Sequence, residues 1–309
     1  GLVGSEMCIR DSSKKKAPRT RFSSLTSRKS WPSSSKALPP KKRPEASVMA
    51  ADKDSDIKTV QVLDRAVKIL DVVAAGSDPV NSNRIVQETG IHASTAHRLL
   101  WSLTELGFLE HTTENCWRLG LRFLEYGNRV RRALPVRTAA VDVMRSLYEK
   151  TQLTVNLSMR SADSIMYIDH VYAPKTGVRF SRQVGAVAPM HCTSGGKLFL
   201  REMTPEDLSA YIERTHLAPR TSHSLATREK LIIELDRIRE RGWAEDNEEL
   251  EYGIRCIGAP IRDENGRITA AVTLVSDTEI KRKPEFVDLL VKGAAQISAA
   301  LASAAQPAA

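Results

Sequence analysis

The stretch "HASTAHRLLWSLTELG", residues 92–107, presents Ser94, Thr95, His97, Arg98, Trp101 and Ser102 on whatever helix face its apolar residues leave free. Hydroxyls, an imidazole, an indole and a guanidinium suit phosphate oxygens and base edges in a DNA groove. An ordinary solvated helix face carries mostly Glu and Lys. Each residue also has a plainer reading. Ser94 or Thr95 can cap the helix, Arg98 can pair with a neighbouring carboxylate, His97 can stand in solvent and Trp101 can pack. Arg118, on a short strand further along, is either a DNA contact or a solvated strand cation.

A second candidate is "HCTSGGKLF", residues 191–199, with Ser194, Gly195 and Gly196 where a helix should begin. Unpaired N–H groups at a helix N-terminus attract anions, and glycines let a carboxylate approach the chain. The same glycines also suit close helix–sheet packing. The GxxxxGK[ST] spacing of a phosphate-binding loop is missing. Cys192 beside His191 is the one pair that invites an enzymatic reading, but strand neighbours point to opposite faces, which disfavours a dyad. With no HExxH, GxSxG or CxxC either, neither an enzyme nor a metal or cofactor site is expected.

The elements that must position these residues are legible as periodicities. Val62, Ala66, Ile69, Leu70 and Val73 make a helix that Gly76 ends, and Asn81 caps a short second helix that Gly90 closes. Ala96, Leu99, Leu100, Leu103 and Leu106 form the buried stripe of a third, and "GFLEHTTENCWRLG" reads as two strands about a polar turn. Helix, helix, turn, helix and wing make a winged helix-turn-helix over 57–120, the third helix sized for the major groove.

A linker helix is expected over 121–135, with Leu121, Leu124, Val130 and Leu134 at helical spacing and a break at Pro135. Its Arg129, Arg131 and Arg132 either line the duplex backbone or face solvent. Beyond it, over 136–303, a hairpin turns near 161–163, "GVRFSRQV" makes a further strand, and another hairpin turns at Asn265-Gly266. Several strands linked as hairpins are followed by amphipathic helices. The fold class is therefore α+β, with an antiparallel sheet and flanking helices rather than a parallel doubly wound sheet.

Charge says less than it first suggests. The 309-residue chain carries a formal +9, but residues 1–48 hold 12 Lys/Arg against 3 Asp/Glu, and residues 49–309 hold 34 of each. A DNA argument must rest on local placement. Residues 1–56 read as a disordered basic tail. Within it, residues 2–12, "LVGSEMCIRDS", resemble a translated sequencing adapter, and Met49 is the expected native start. Residues 304–309 read as a short C-terminal tail. Four cysteines without CxxC spacing fit a reducing cytoplasm, and no apolar run near 18 residues suggests a membrane span.

Three segments resemble the IclR-type bacterial transcription regulators: "AVKILDVV", "IVQETGIHASTAHRLLWSLTELGFLE" and "CWRLGLRFLEYG". In the second half "GAVAPMHCTSGGKLFL" and "RGWAEDNEELEYGIRCIGAPIRDENGRITAAVTLVS" resemble the family's effector-domain segments. The resemblance implies a GAF-like effector domain, dimers or tetramers, an inverted-repeat operator in double-stranded DNA, and control of a catabolic operon. It also implies a small anionic effector, an organic or aromatic acid. Matched residue to residue, further effector contacts fall on Asp246, Ile254, Cys256 and Thr273. Asp246 is alternatively part of a solvated acidic loop, and Cys256 a core thiol. Val275, where some relatives carry a hydroxyl, implies an effector less hydrophilic than a small keto acid.

Overall fold

The structure, a computed structural model, describes residues 59–76, 78–112, 114–171, 183–277 and 284–305. The basic tail and almost all of "GVRFSRQV" lie outside the described residues.

The first part of the chain builds a winged helix-turn-helix. Its helices are α1 (Gln61–Ala75), α2 (Ser82–Thr89) and α3 (Ala93–Glu105), and its strands are β1 (Val80–Asn81), β2 (Leu109–His111) and β3 (Cys116–Leu119). Asn81 caps α2 by accepting from the Arg84 N–H at 2.9 Å. Gly90 closes it in the left-handed region, at φ +66°, where glycine carries no Cβ penalty. The wing has three strands in the order β1-β3-β2, one more than the sequence suggested, because Val80 and Asn81 pair with Trp117 and Cys116. Ile69, Ile85, Ala96, Leu100, Leu109 and Trp117 form the core. Leu106 does not join it. α3 stops at Glu105, so Leu106 leaves the helical stripe and is 54% exposed.

The linker helix α4 (Arg122–Ala133) and α5 (Pro135–Thr151) break at Leu134, whose extended backbone places Pro135 in the first turn of α5. No residue of α4 is buried. Its N-terminal end docks on the wing through the Phe108, Phe123 and Tyr126 rings, with the Arg122 guanidinium 4.9 Å from the Phe108 ring centre.

In the rest, β4 (Thr154–Ser161), β5 (Ser164–Val171), β6 (Val187–Pro189), β7 (Ala244–Asn247), β8 (Ile254–Arg262) and β9 (Ile268–Asp277) form one antiparallel sheet in the order β6-β5-β4-β9-β8-β7. One face packs on α5 and α9 (Pro284–Ala305) through Met144, Leu157, Val272, Leu290 and Ile297. The other packs on α6 (Ser194–Arg201), α7 (Pro205–Thr215) and α8 (Arg228–Arg241) through Ile165, Leu198, Tyr211, Leu235 and Ala271. By length and composition α9 is apolar enough to cross a membrane, which its sequence did not suggest. Leu290, Ala294 and Ile297 pack one face of it into the core.

β5 carries an irregularity opposite the Leu157/Ser158 step of β4. Leu157 pairs with Asp169 but Ser158 with Tyr167, so Ile168 is an extra, bulged residue. A bulge reverses the in–out alternation beyond it. Tyr167 therefore joins the α6 side, while Ile168 packs with the α5 side and Asp169 meets an α5 arginine.

Candidate functional site: a DNA-reading face and a buried polar cavity

On α3 the residues Ser94, His97, Arg98, Trp101 and Ser102 are all exposed and lie on one side, opposite buried Ala96, Leu100 and Leu103. Thr95 is half-buried at the edge of that arc. The helix cap is His92 rather than Ser94 or Thr95, which fall inside the first turn. The Ser94 hydroxyl instead meets His92 Nδ1 at 2.9 Å. Ser102 donates back to the Arg98 carbonyl at 2.9 Å. Arg98 has no ion pair or side-chain hydrogen bond among the described residues, so its guanidinium is available.

His97 and Trp101 have structural work as well. The Trp101 indole N–H donates to His97 Nε2 at 3.1 Å. Trp101 also lies 4.9 Å from His111, which lies 4.8 Å from Trp117. This stack fastens α3 to the wing. His111 was not expected from the sequence, since only the β2–β3 register brings it opposite Trp117. Arg118 is ion-paired with Glu110 across the wing at 2.7 Å and remains 63% exposed.

The linker arginines part company. Arg129 pairs with Glu125 in solvent. Arg131 turns onto β5: its guanidinium binds Asp169 at 2.5 Å and the Ile168 carbonyl at 3.3 Å. Arg137 of α5 binds the other Asp169 oxygen at 2.7 Å. The linker helix is thus held to the wing at one end and to the β5 bulge at the other.

The second site is a cavity of about 10 Å³ between α6 and the sheet, lined by Asn156, Tyr167, Thr193, Ser194, Gly195, Asp246, Leu250, Cys256, Thr273 and Ile165. That is room for no more than about one water molecule. Of the residues expected here, Ser194, Gly195, Asp246, Cys256 and Thr273 converge on it and two do not. Gly196 packs on the turn Met190–Cys192, where a Cβ would overlap the Met190 backbone. Its N–H is taken by the capping Thr193 hydroxyl at 3.1 Å, so only Ser194 and Gly195 begin α6 without an intrahelical acceptor. Ile254 clusters with Val275 and Cys256 beside the cavity.

Asp246 is not a solvated loop carboxylate. It is 2% exposed, on β7 opposite Cys256, and its Oδ1 accepts from the Glu249 N–H at 2.8 Å. Burial, with the Glu249 charge second, pushes its carboxyl up to about 7. Lys197, which no sequence signal singled out, is fully buried and bonds Glu249 at 2.6 Å.

The His191–Cys192 pair sits in a 3₁₀ turn, not on a strand. His191 Nδ1 lies 2.9 Å from the Tyr211 hydroxyl and Nε2 3.2 Å from the Ala218 carbonyl. Burial pushes the Cys192 thiol up to about 11, the wrong direction for a nucleophile.

A winged helix joined by a linker helix to an α+β domain with a buried polar cavity defines a class: DNA-binding transcription regulators. Residues 62–113 match the IclR helix-turn-helix domain, and residues 129–299 match the bacterial transcriptional regulator IclR C-terminal domain. The chain belongs to the IclR family. It is similar to the HTH-type transcriptional regulator XynR of Escherichia coli, 29% identical over 246 residues that cover 78% of this chain and 97% of XynR. The Thermotoga maritima IclR structure aligns with TM-score 0.62 at 29% identity, covering 78% of this chain and 98% of that one. An IclR homologue from Microbacterium hydrocarbonoxydans, solved as a complex with 4-hydroxybenzoate, shares the fold at TM-score 0.69 and 22% identity, over 78% and 99% of the two chains.

Proposed function

We propose that this protein is a cytoplasmic, ligand-responsive regulator of a catabolic operon that senses a small organic or aromatic acid in its C-terminal domain. The observation that carries the reading is the linker helix, pinned between the wing and a strand that lines the cavity. Tyr167 faces the cavity, and the next two residues, Ile168 and Asp169, hold Arg131. An effector that displaces Tyr167 therefore acts on the residues that fix the linker. The complex of the Microbacterium homologue with 4-hydroxybenzoate agrees with an acid as effector.

On DNA, Arg98 is the principal contact, with Ser94, Thr95 and Ser102 on the backbone beside it. His97, Trp101 and Arg118 flank them, and their existing partners make their share smaller. Exposed Val60, Val62, Leu63, Val67, Leu121, Leu124 and Val130 offer apolar surface for a second copy. A dimer or tetramer then reads an inverted repeat.

The test uses the full chain on a duplex selected from a random pool, with and without 4-hydroxybenzoate. A coupling of about 1–3 kcal/mol changes DNA affinity roughly 5- to 150-fold. Asp169→Ala, which releases Arg131 and Arg137, is expected to shrink that change while the ligand still raises the melting temperature. Full coupling retained in Asp169→Ala contradicts the route through β5.

A further inference from the structure

The cavity contains a carboxyl group and, among the described residues, no lysine, arginine or histidine lines it. The nearest buried cation, Lys197 of α6, is already bonded to Glu249 and lies 3.9 Å from Glu234 of α8. The cavity as it stands has a volume of about 10 Å³, so an organic acid enters only by displacing part of the lining, and it would bring a second negative charge against Asp246 in a water-poor space. Two buried carboxylates in one site cannot both ionise without a large penalty, and sharing one proton removes it.

We propose that the cavity takes its organic acid together with one proton, which Asp246 holds between its own carboxyl group and the carboxylate of the effector. This rests on the effector reading above and adds what selects the ligand. A protonated Asp246 is a hydrogen-bond donor that accepts a carboxylate without a counter-cation, with the Ser194 and Gly195 N–H groups as further donors. The site then favours monoanions over dianions, since one proton neutralises one charge.

The groups facing Asp246 support this. Glu249 follows it in the same turn and raises its pKa, as burial does more strongly, while Lys197 across α6 lowers it. Cys256 pairs with it from β8, and Cys192 stands in the turn before α6 with its thiol kept neutral by burial. Tyr167 faces the same space from β5. With the Asp246 carboxyl near 7, the proton is in place below neutrality and lost above it. Affinity for an acid is then flat in mild acid and falls as pH rises, by about tenfold between roughly pH 6 and pH 8.

Calorimetric titration of the full chain with sodium 4-hydroxybenzoate and with sodium acetate, in phosphate and in Tris, reads both quantities. The expected result is weaker binding at the higher pH and an uptake rising from about 0.1 to about 0.9 proton per ligand across that range. Asp246→Asn keeps a permanent donor of the same shape. It should bind the acid with no pH dependence, its fold checked by a thermal melt. Wild-type binding that is independent of pH, or without proton uptake, overturns the proposal and leaves the effector reading standing. If neither acid binds at the lower pH, while benzylamine binds with proton release, the cavity is cation-selective and both readings fall.

Discussion

Lys197→Met should destabilise the C-terminal domain by about 3–5 kcal/mol, the usual cost of removing one partner from a buried ion pair. The Lys197 side chain is fully buried and bonds Glu249, itself 5% exposed, at 2.6 Å. Methionine fills most of the space, so the loss comes mainly from the charge. Glu249 Oε2 already lacks a partner among the described residues, and without the ammonium the carboxylate has almost nothing to offset its burial. Burial holds the Glu249 carboxyl above its ordinary value and Lys197 pulls it back, so it rises further in the variant. A carboxyl whose folded-state pKa exceeds the unfolded value costs stability wherever it must ionise. The deficit should therefore shrink as pH falls from about 8 to about 5. Adding Glu249→Leu should recover most of it, because an apolar pair of similar volume replaces a buried ion pair at little cost. Urea melts at both pH values measure this. A deficit that grows in acid, or no rescue by the second substitution, contradicts it.

Leu100→Ala should cost the winged-helix part about 2–5 kcal/mol. Leu100 is fully buried between Ile69, Ile85 and Trp117. The truncated side chain leaves a cavity in a small core that cannot readily collapse around it. Against a typical total of about 5–15 kcal/mol, that is enough to depopulate the DNA-binding fold. Leu106→Ala, six residues further along the chain but 54% exposed, should stay within about 0.5 kcal/mol. Denaturation followed by tryptophan emission compares the two, since Trp101 and Trp117 both report on this core. Equal losses at the two leucines would mean the helix is rotated from the position described.

The contrast between those leucines shows what the sequence made legible. Local signals were read well: the Asn81 cap, the left-handed Gly90, the hairpin turning at Ala162 and the break before Pro135 all have causes within a few residues. Leu106 failed because period alone does not say where a helix stops: it stands at the end of α3, just before the left-handed Gly107, whose N–H donates to the Thr104 carbonyl while the Phe108 N–H donates to the Leu103 carbonyl. The buried polar cavity was legible in outline, since Ser194 and Gly195 announce a helix start. Lys197 was not, because its partner lies 52 residues away and nothing local distinguishes it from a surface lysine. The same holds for Arg131, which the sequence left as either a duplex-backbone contact or a solvated residue and which binds Asp169 38 residues further on. The β5 bulge has no signature in the chain, yet it decides that Tyr167 and Asp169 face opposite sides of the sheet. Nor did the sequence show how tight the cavity is. A Cβ on Gly195 would stand 2.9 Å from the Ser158 hydroxyl, so a large residue there disrupts packing before it blocks a ligand.

If the exposed face of α3 reads DNA, Arg98 is the residue whose loss shows it most directly. Arg98 is exposed and has no side-chain hydrogen bond or ion pair among the described residues, so Arg98→Ala breaks none of those within the protein. Fluorescence anisotropy on a labelled inverted-repeat duplex, selected with the wild-type chain, gives the affinity of each form. The loss of one good base or phosphate contact is worth about 1–3 kcal/mol, so binding should weaken roughly 5- to 150-fold while the melting temperature stays unchanged. An Arg98→Ala protein that binds the same duplex as tightly as wild type, with the same preference for it over random DNA, would show that this face is not the one that reads the operator.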